Sequence, residues 1–123
     1  MNRITEEHID SIIEGVYYFN MAKAVENEAV LIPEAHLKAL STTTVCALVL
    51  SNGFTITGKS ACVDPNTFNE ELGKKYAYEQ AIDKVWELEG YLLKQNLYEK
   101  AQSQEMLKGF LQDDNCEGGG CKI

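Results

Sequence analysis

Residues 42–63 carry the clearest pattern in the chain: two β-rich runs, Thr42 to Leu50 and Phe54 to Val63, flank Asn52-Gly53. Branched and aromatic side chains suit a pleated surface, and an Asn-Gly pair readily adopts the positive φ that a tight hairpin turn demands. A two-residue turn sets Ser51 opposite Phe54, Cys46 opposite Lys59 and Cys62 opposite Thr43. That register collects Val45, Ala47, Val49, Phe54 and Ile56 on one apolar face, the predicted core side. The reverse face joins Cys46, Leu48 and Leu50 to Thr55, Thr57 and Lys59. It is half-apolar, which predicts a subunit contact or a ligand wall.

Elsewhere the apolar positions follow a helical period. Thr5, Glu6 and Glu7 open a short amphipathic helix whose Ile4, Ile9, Ile12 and Ile13 recur up to Gly15. Val16 to Phe19 reads as a short strand. Residues 20–41 form an ordered insert, helix-favouring from Met21 to Ala29 and again from Pro33 to Leu40. Asp64-Pro65 ends the second hairpin strand, and Thr67 with Glu70 predicts a capping box at the start of a helix from about Phe68 to at least Leu93. Leu72, Ala77, Ala81, Ile82, Val85, Trp86 and Leu88 make a broad stripe on that helix, suited to cover the hairpin. Gly90 marks a kink or the close approach of another backbone, and Leu92, Leu97, Tyr98, Met106, Leu107, Phe110 and Leu111 support a further helical stretch. The predicted fold class is α+β: a small antiparallel sheet with a dominant hairpin, packed by long C-terminal helices. It forms one domain over residues 1–112, followed by a flexible tail over 113–123.

At 123 residues and 45% hydrophobic, the chain can build one core and still leave apolar surface over, which predicts self-association. A net charge of -8 opposes binding to nucleic-acid polymers and anionic membranes, and Arg3 is the sole arginine. Neither a membrane-spanning run nor a basic segment followed by an apolar one is present, so a soluble protein of the cytoplasm is expected. Cys46 and Cys62, on opposite faces in the predicted register, are expected as free thiols. The spacing of Cys116 and Cys121, without histidine partners, predicts no metal site.

Catalysis finds little support. His8 and His36 read as surface histidines outside any nucleophile or zinc spacing, and Glu70-Glu71 fit a helix N-terminus where acids are favoured. With no phosphate-binding glycine loop and no nucleophile elbow, no catalytic residue, no metal and no cofactor are expected; the chain is read as a non-enzyme.

A binding role has better material. The turn from Asp64 to Asn69 offers amides, Asn66, Asn69 and the ring of Phe68 beside a helix start, the parts that nucleotide recognition uses. The competing reading makes Phe68 a core plug and the asparagines turn builders, with Glu70 and Glu71 repelling phosphate. Lys84 is either solvated or a phosphate contact across a dimer interface, Trp86 is expected in the core, and Tyr91 packs at a helix crossing with its hydroxyl toward solvent. The candidate ligand contacts are Asn66, Phe68, Asn69, Lys84, Tyr91 and Arg3.

Asn52-Gly53-Phe54, Ser60 to Pro65, Phe68, Gly73, Ala77, Ala81, Asp83, Lys84, Trp86 and Leu88 to Tyr91 together resemble a small phage-encoded family first described as hypothetical proteins of Escherichia and Shigella podophages. The likeness covers roughly half the chain. It departs at one point: the family sets Asn directly before the aromatic, whereas here Asn66 and Phe68 are separated by Thr67. The family is in turn similar to the first-type Thoeris anti-defence proteins, phage sponges that bind and hide a cyclic ADP-ribose signal. The resemblance implies a dimer or a hexamer with pockets shared between protomers. Its implied activity is sequestration, without cleavage, of a nucleotide immune signal, either a cyclic ADP-ribose isomer or a cyclic oligonucleotide, in the cytoplasm of the infected bacterial host. The alternative is a small phage adaptor that binds a host protein.

Overall fold

A computed structural model describes residues 3–26 and 31–113 of the chain. The elements run α1 (Glu6–Ile12), β1 (Ile13–Asn20), α2 (Met21–Glu26), α3 (Glu34–Leu40), β2 (Thr43–Leu50), β3 (Thr55–Ala61), a single 3-10 turn (Pro65–Thr67) and α4 (Glu70–Asp113). The fold is α+β, as the chain's patterns predict: one antiparallel sheet, in the order β1-β2-β3, with a single long helix laid across it. Cys116, Cys121 and the predicted tail beyond Asp113 lie outside the described residues.

Thr5 caps α1 by accepting from the His8 amide at 3.2 Å, and α1 gives way at once to β1 without a loop. β1 is longer than the predicted Val16 to Phe19. Its pairing with β2 shifts by one residue between Ile13 and Gly15, so Ile13 turns toward the core while Tyr17 and Phe19 point to the opposite face.

The hairpin turn has three residues, not two. The Leu50 amide donates to the Phe54 carbonyl at 2.9 Å, which leaves Ser51, Asn52 and Gly53 in the loop. Gly53 takes φ +88°, the left-handed conformation that closes a three-residue loop. One added loop residue changes which positions share a face. Cys46 therefore pairs with Gly58 and Leu48 with Ile56, in place of the expected Cys46 and Lys59 pairing. The buried face is Cys46, Leu48, Leu50 and Ile56, packed on Ala77, Ala81 and Val85 of α4 and Ile9 of α1. The predicted core face of Val45, Ala47, Val49 and Phe54 is thus inverted. Val45, Ala47 and Val49 lie on the outer face with Tyr17 and Phe19, and Phe54 is exposed at the loop.

The cysteine prediction changes with it. Cys46 and Cys62 have the same parity in the observed register, so they are kept apart by distance along the hairpin, not by lying on opposite faces. Both are free thiols. Burial pushes the Cys46 thiol pKa up, because the thiolate would lose its hydration inside the core.

α4 runs unbroken for 44 residues, about 66 Å at the usual helical rise. The strands beneath it have 8 residues or fewer, about 26 Å. The helix continues without interruption through Gly90, where an added Cβ would meet no atom among the described residues. The contact face is narrower than the predicted stripe: Gly73, Ala77, Ala81 and Val85 recur every four residues, while Leu72, Trp86 and Leu88 are exposed. Trp86, 37% exposed, is not a core residue.

Small residues on this face let the helix lie against the sheet backbone. A Cβ added at Gly58 would sit 2.3 Å from the Ala77 carbonyl oxygen and 2.4 Å from the Ala81 amide. The same proximity brings α4 side chains over the edge of β3: the Gln80 side-chain carbonyl accepts from the Lys59 amide at 2.8 Å, and Lys84 Nζ donates to the Thr57 carbonyl at 2.7 Å. Outward-facing backbone groups of β3 are thereby satisfied, as an edge strand requires.

Candidate functional site

The junction between β3 and α4 is built by Asp64. Its carboxylate accepts from the Asn66 amide at 2.9 Å, and its carbonyl accepts from the Thr67 amide and hydroxyl at 3.1 and 3.2 Å. The Cys62 thiol also donates to that carbonyl. These bonds wind Pro65–Thr67 into one 3-10 turn, after which Phe68 is extended and α4 begins. Asn69, not Thr67, caps the helix, its side-chain carbonyl accepting from the Leu72 amide at 3.2 Å. The predicted capping box is absent because Thr67 is already engaged by Asp64, two residues too early for the helix.

A cavity of about 250 Å³ opens at this junction, lined by Ser60, Ala61, Cys62, Thr67, Phe68, Asn69, Leu72, Gly73 and Tyr76. It holds two of the predicted contacts, Phe68 and Asn69, and adds a second aromatic, Tyr76, which sequence reasoning missed. Tyr76 lies three positions from Gly73 on the same helix face, a spacing that a helical projection from Gly73 would have picked out. Phe68 is half-buried, its ring about 3.4 Å from where a Gly73 Cβ would sit. Asn66 is exposed in the turn, and its backbone N–H donates to the Asp64 carboxylate.

The other predicted contacts lie elsewhere on the chain. Lys84 lines a separate depression with Phe54, Ile56 and Leu88 and spends its ammonium on β3. Tyr91 is 71% exposed on α4, and Arg3 is exposed ahead of α1. Tyr91 stands 15 residues beyond Tyr76, about 22 Å along the helix. One chain therefore joins Phe68 and Asn69, and leaves Lys84, Tyr91 and Arg3 apart from them.

The two histidines also differ. His36 is exposed, but His8 is half-buried, with Nε2 2.5 Å from the Glu89 carboxylate, and so ties α1 to α4. Among the described residues, no group of three or more His, Cys, Asp or Glu side chains is placed to hold a metal ion. No helix of the described residues is long and apolar enough to cross a membrane.

Residues 4–97 match the model of the phage protein (N4 Gp49/phage Sf6 gene 66) family, and the chain belongs to that family. Searches of curated proteins and of solved structures return no match.

Proposed function

We propose that this member of a phage protein family binds a small nucleotide and holds it without cleavage, acting as a sponge for a nucleotide immune signal. The observation that carries the reading is the cavity at the junction of β3 and α4, which brings Phe68, Tyr76 and Asn69 together at one helix start. Two aromatic rings provide surfaces for a base, and the Asn69 amide group, with its carbonyl used in capping, keeps its NH₂ to donate to the base edge. Resemblance to the Thoeris anti-defence proteins favours a cyclic ADP-ribose isomer or a cyclic oligonucleotide as the signal.

Self-association belongs to this reading. Tyr17, Phe19, Tyr91, Leu92, Tyr98, Met106, Leu107 and Phe110 are large, apolar and exposed in the single chain, more than a stable monomer ordinarily leaves open. A dimer or hexamer would cover them and bring a second copy's Lys84, Tyr91 or Arg3 toward a shared pocket.

The test incubates the full chain with cyclic ADP-ribose isomers and cyclic oligonucleotides, removes free ligand, denatures the protein and identifies what is released. Intact ligand at a fixed stoichiometry is the expected result. Phe68→Ala should weaken retention by a stacking contribution of about 1 to 3 kcal/mol. A cleaved product, or no ligand retained by the unaltered protein, would overturn the proposal.

A further inference from the structure

A second cavity, of about 270 Å³, lies on the other flank of the α4 start, lined by Tyr18, Phe19, Asn20, Lys23, Thr44, Glu70 and Lys74. It continues into a neighbouring cavity of about 330 Å³ that shares Asn20, Lys23 and Glu70 and includes Phe68. Phe68 in turn lines the junction cavity. A groove thus passes around the first turn of α4, with the Phe68 ring at its divide.

The chemistry of the two flanks differs. The junction cavity has no cationic lining residue, whereas the second has two lysines from separate elements, Lys23 of α2 and Lys74 of α4. Thr44 lines the same cavity; it is 3% exposed, and its hydroxyl is buried without a hydrogen-bond partner among the described residues. Buried hydroxyls are ordinarily paired, so an unpaired one on a cavity-lining residue is open to a ligand atom that enters beside it. Gly73 keeps that hydroxyl under the helix start, since a Cβ there would meet Thr44 Oγ1 at 2.7 Å.

Asn20 is engaged as a strut. Its carbonyl accepts from the Ala22 and Lys23 amides at 2.9 and 3.4 Å, and its NH₂ donates to the Ser41 carbonyl at 2.7 Å, which fixes the base of Lys23. Lys74 is held by the Tyr18 ring, with Nζ 5.7 Å from its centroid. Its ion pair with Glu70 is loose, at 4.0 Å, and well exposed. A dianionic group entering the cavity would compete with the Glu70 carboxylate for Lys74 and gain Lys23 and the Thr44 hydroxyl besides.

We infer that Lys23, Lys74 and Thr44 form an anion subsite for a phosphate ester, the charged half of a ligand whose ring lies against Phe68. The inference rests on the nucleotide-binding reading for its second half only. It moves the phosphate contact away from Lys84, whose ammonium serves β3. In a chain of net charge -8, it also supplies the local cations that such a ligand needs.

Calorimetric titration of the full chain with inorganic pyrophosphate, in parallel with thermal melts, tests the subsite apart from the ring. The unaltered protein should bind pyrophosphate, and the double variant Lys23→Gln, Lys74→Gln should bind it at least about tenfold more weakly. Thr44→Val, which keeps the shape and removes the hydroxyl, should weaken it without lowering the melting temperature. Glu70→Gln should strengthen it, a sign that a merely structural role would not produce. No pyrophosphate binding by the unaltered protein, or binding indifferent to the lysines and Thr44, overturns the subsite. Pyrophosphate bound as expected, with no nucleotide retained in the release assay, keeps the subsite and overturns the nucleotide reading instead.

Discussion

The two halves of α4 solve opposite problems. From Gly73 to Val85 the inward face is made of small residues at four-residue spacing, and the helix backbone rests on the sheet at Gly58. From Gly90 onward the side chains are large and apolar, including Leu92, Tyr98, Met106 and Phe110, and they are exposed. The glycines mark the contrast. A Cβ at Gly73 would press on Thr44, while at Gly90 and Gly109 it would meet nothing among the described residues. The first half completes its packing within one chain, and the second half carries the kind of surface that a partner completes.

The largest expected effect breaks the first half. Gly58→Ala forces a methyl group into the α4 backbone, where neither Ala77 nor Ala81 can yield by changing rotamer. A loss of about 3 kcal/mol in chemical denaturation is expected, at the upper end for overpacking. A variant as stable as the parent would show that helix and sheet separate easily, and the contrast between the halves would fall. A smaller change tests how the same half begins. Asn69→Ala removes the α4 cap and should lower stability by about 1 kcal/mol in thermal melts. Asn69 was open to a purely ligand-binding role on sequence grounds, so its binding and stability effects need to be measured together.

The third change has a similar size and the opposite sign. Gly90→Ala removes a poor helix former from an open position and should stabilise the chain by about 1 kcal/mol. Sedimentation should return the same mass for parent and variant. If the variant instead loses stability and falls apart on dilution, the backbone of a second copy rests against Gly90, and the second half is as closely packed as the first.

Much of this architecture was legible from local chemistry. Thr5 and the acids after it announced α1, Pro33 announced α3, and the β-rich runs about Asn52-Gly53 announced β2 and β3. Phe68 and Asn69, two of the candidate contacts, line one cavity because a turn and its neighbouring helix start are local structures. Lys84, Tyr91 and Arg3 were not separable from them on sequence alone, since helical rise and strand pairing set those distances.

Patterning in the sequence by itself determined the elements, the α+β class and the approximate place of the turn, because propensity, capping and periodicity act over a few residues. Only the tertiary structure decided the face. One residue more in the Ser51 to Gly53 loop brought Cys46, Leu48 and Leu50 inside and turned Val45, Ala47 and Val49 out, since strand period is two and both faces of β2 are apolar enough to be core. It also decided which face of α4 turns inward: that of Ala77, Ala81 and Val85, where the approach to Gly58 leaves no room for a large side chain, while Trp86 lies off that face and stays 37% exposed. The groove around the start of α4 likewise depends on contacts far apart in sequence, among Lys23, Thr44 and Lys74, which local patterning does not encode.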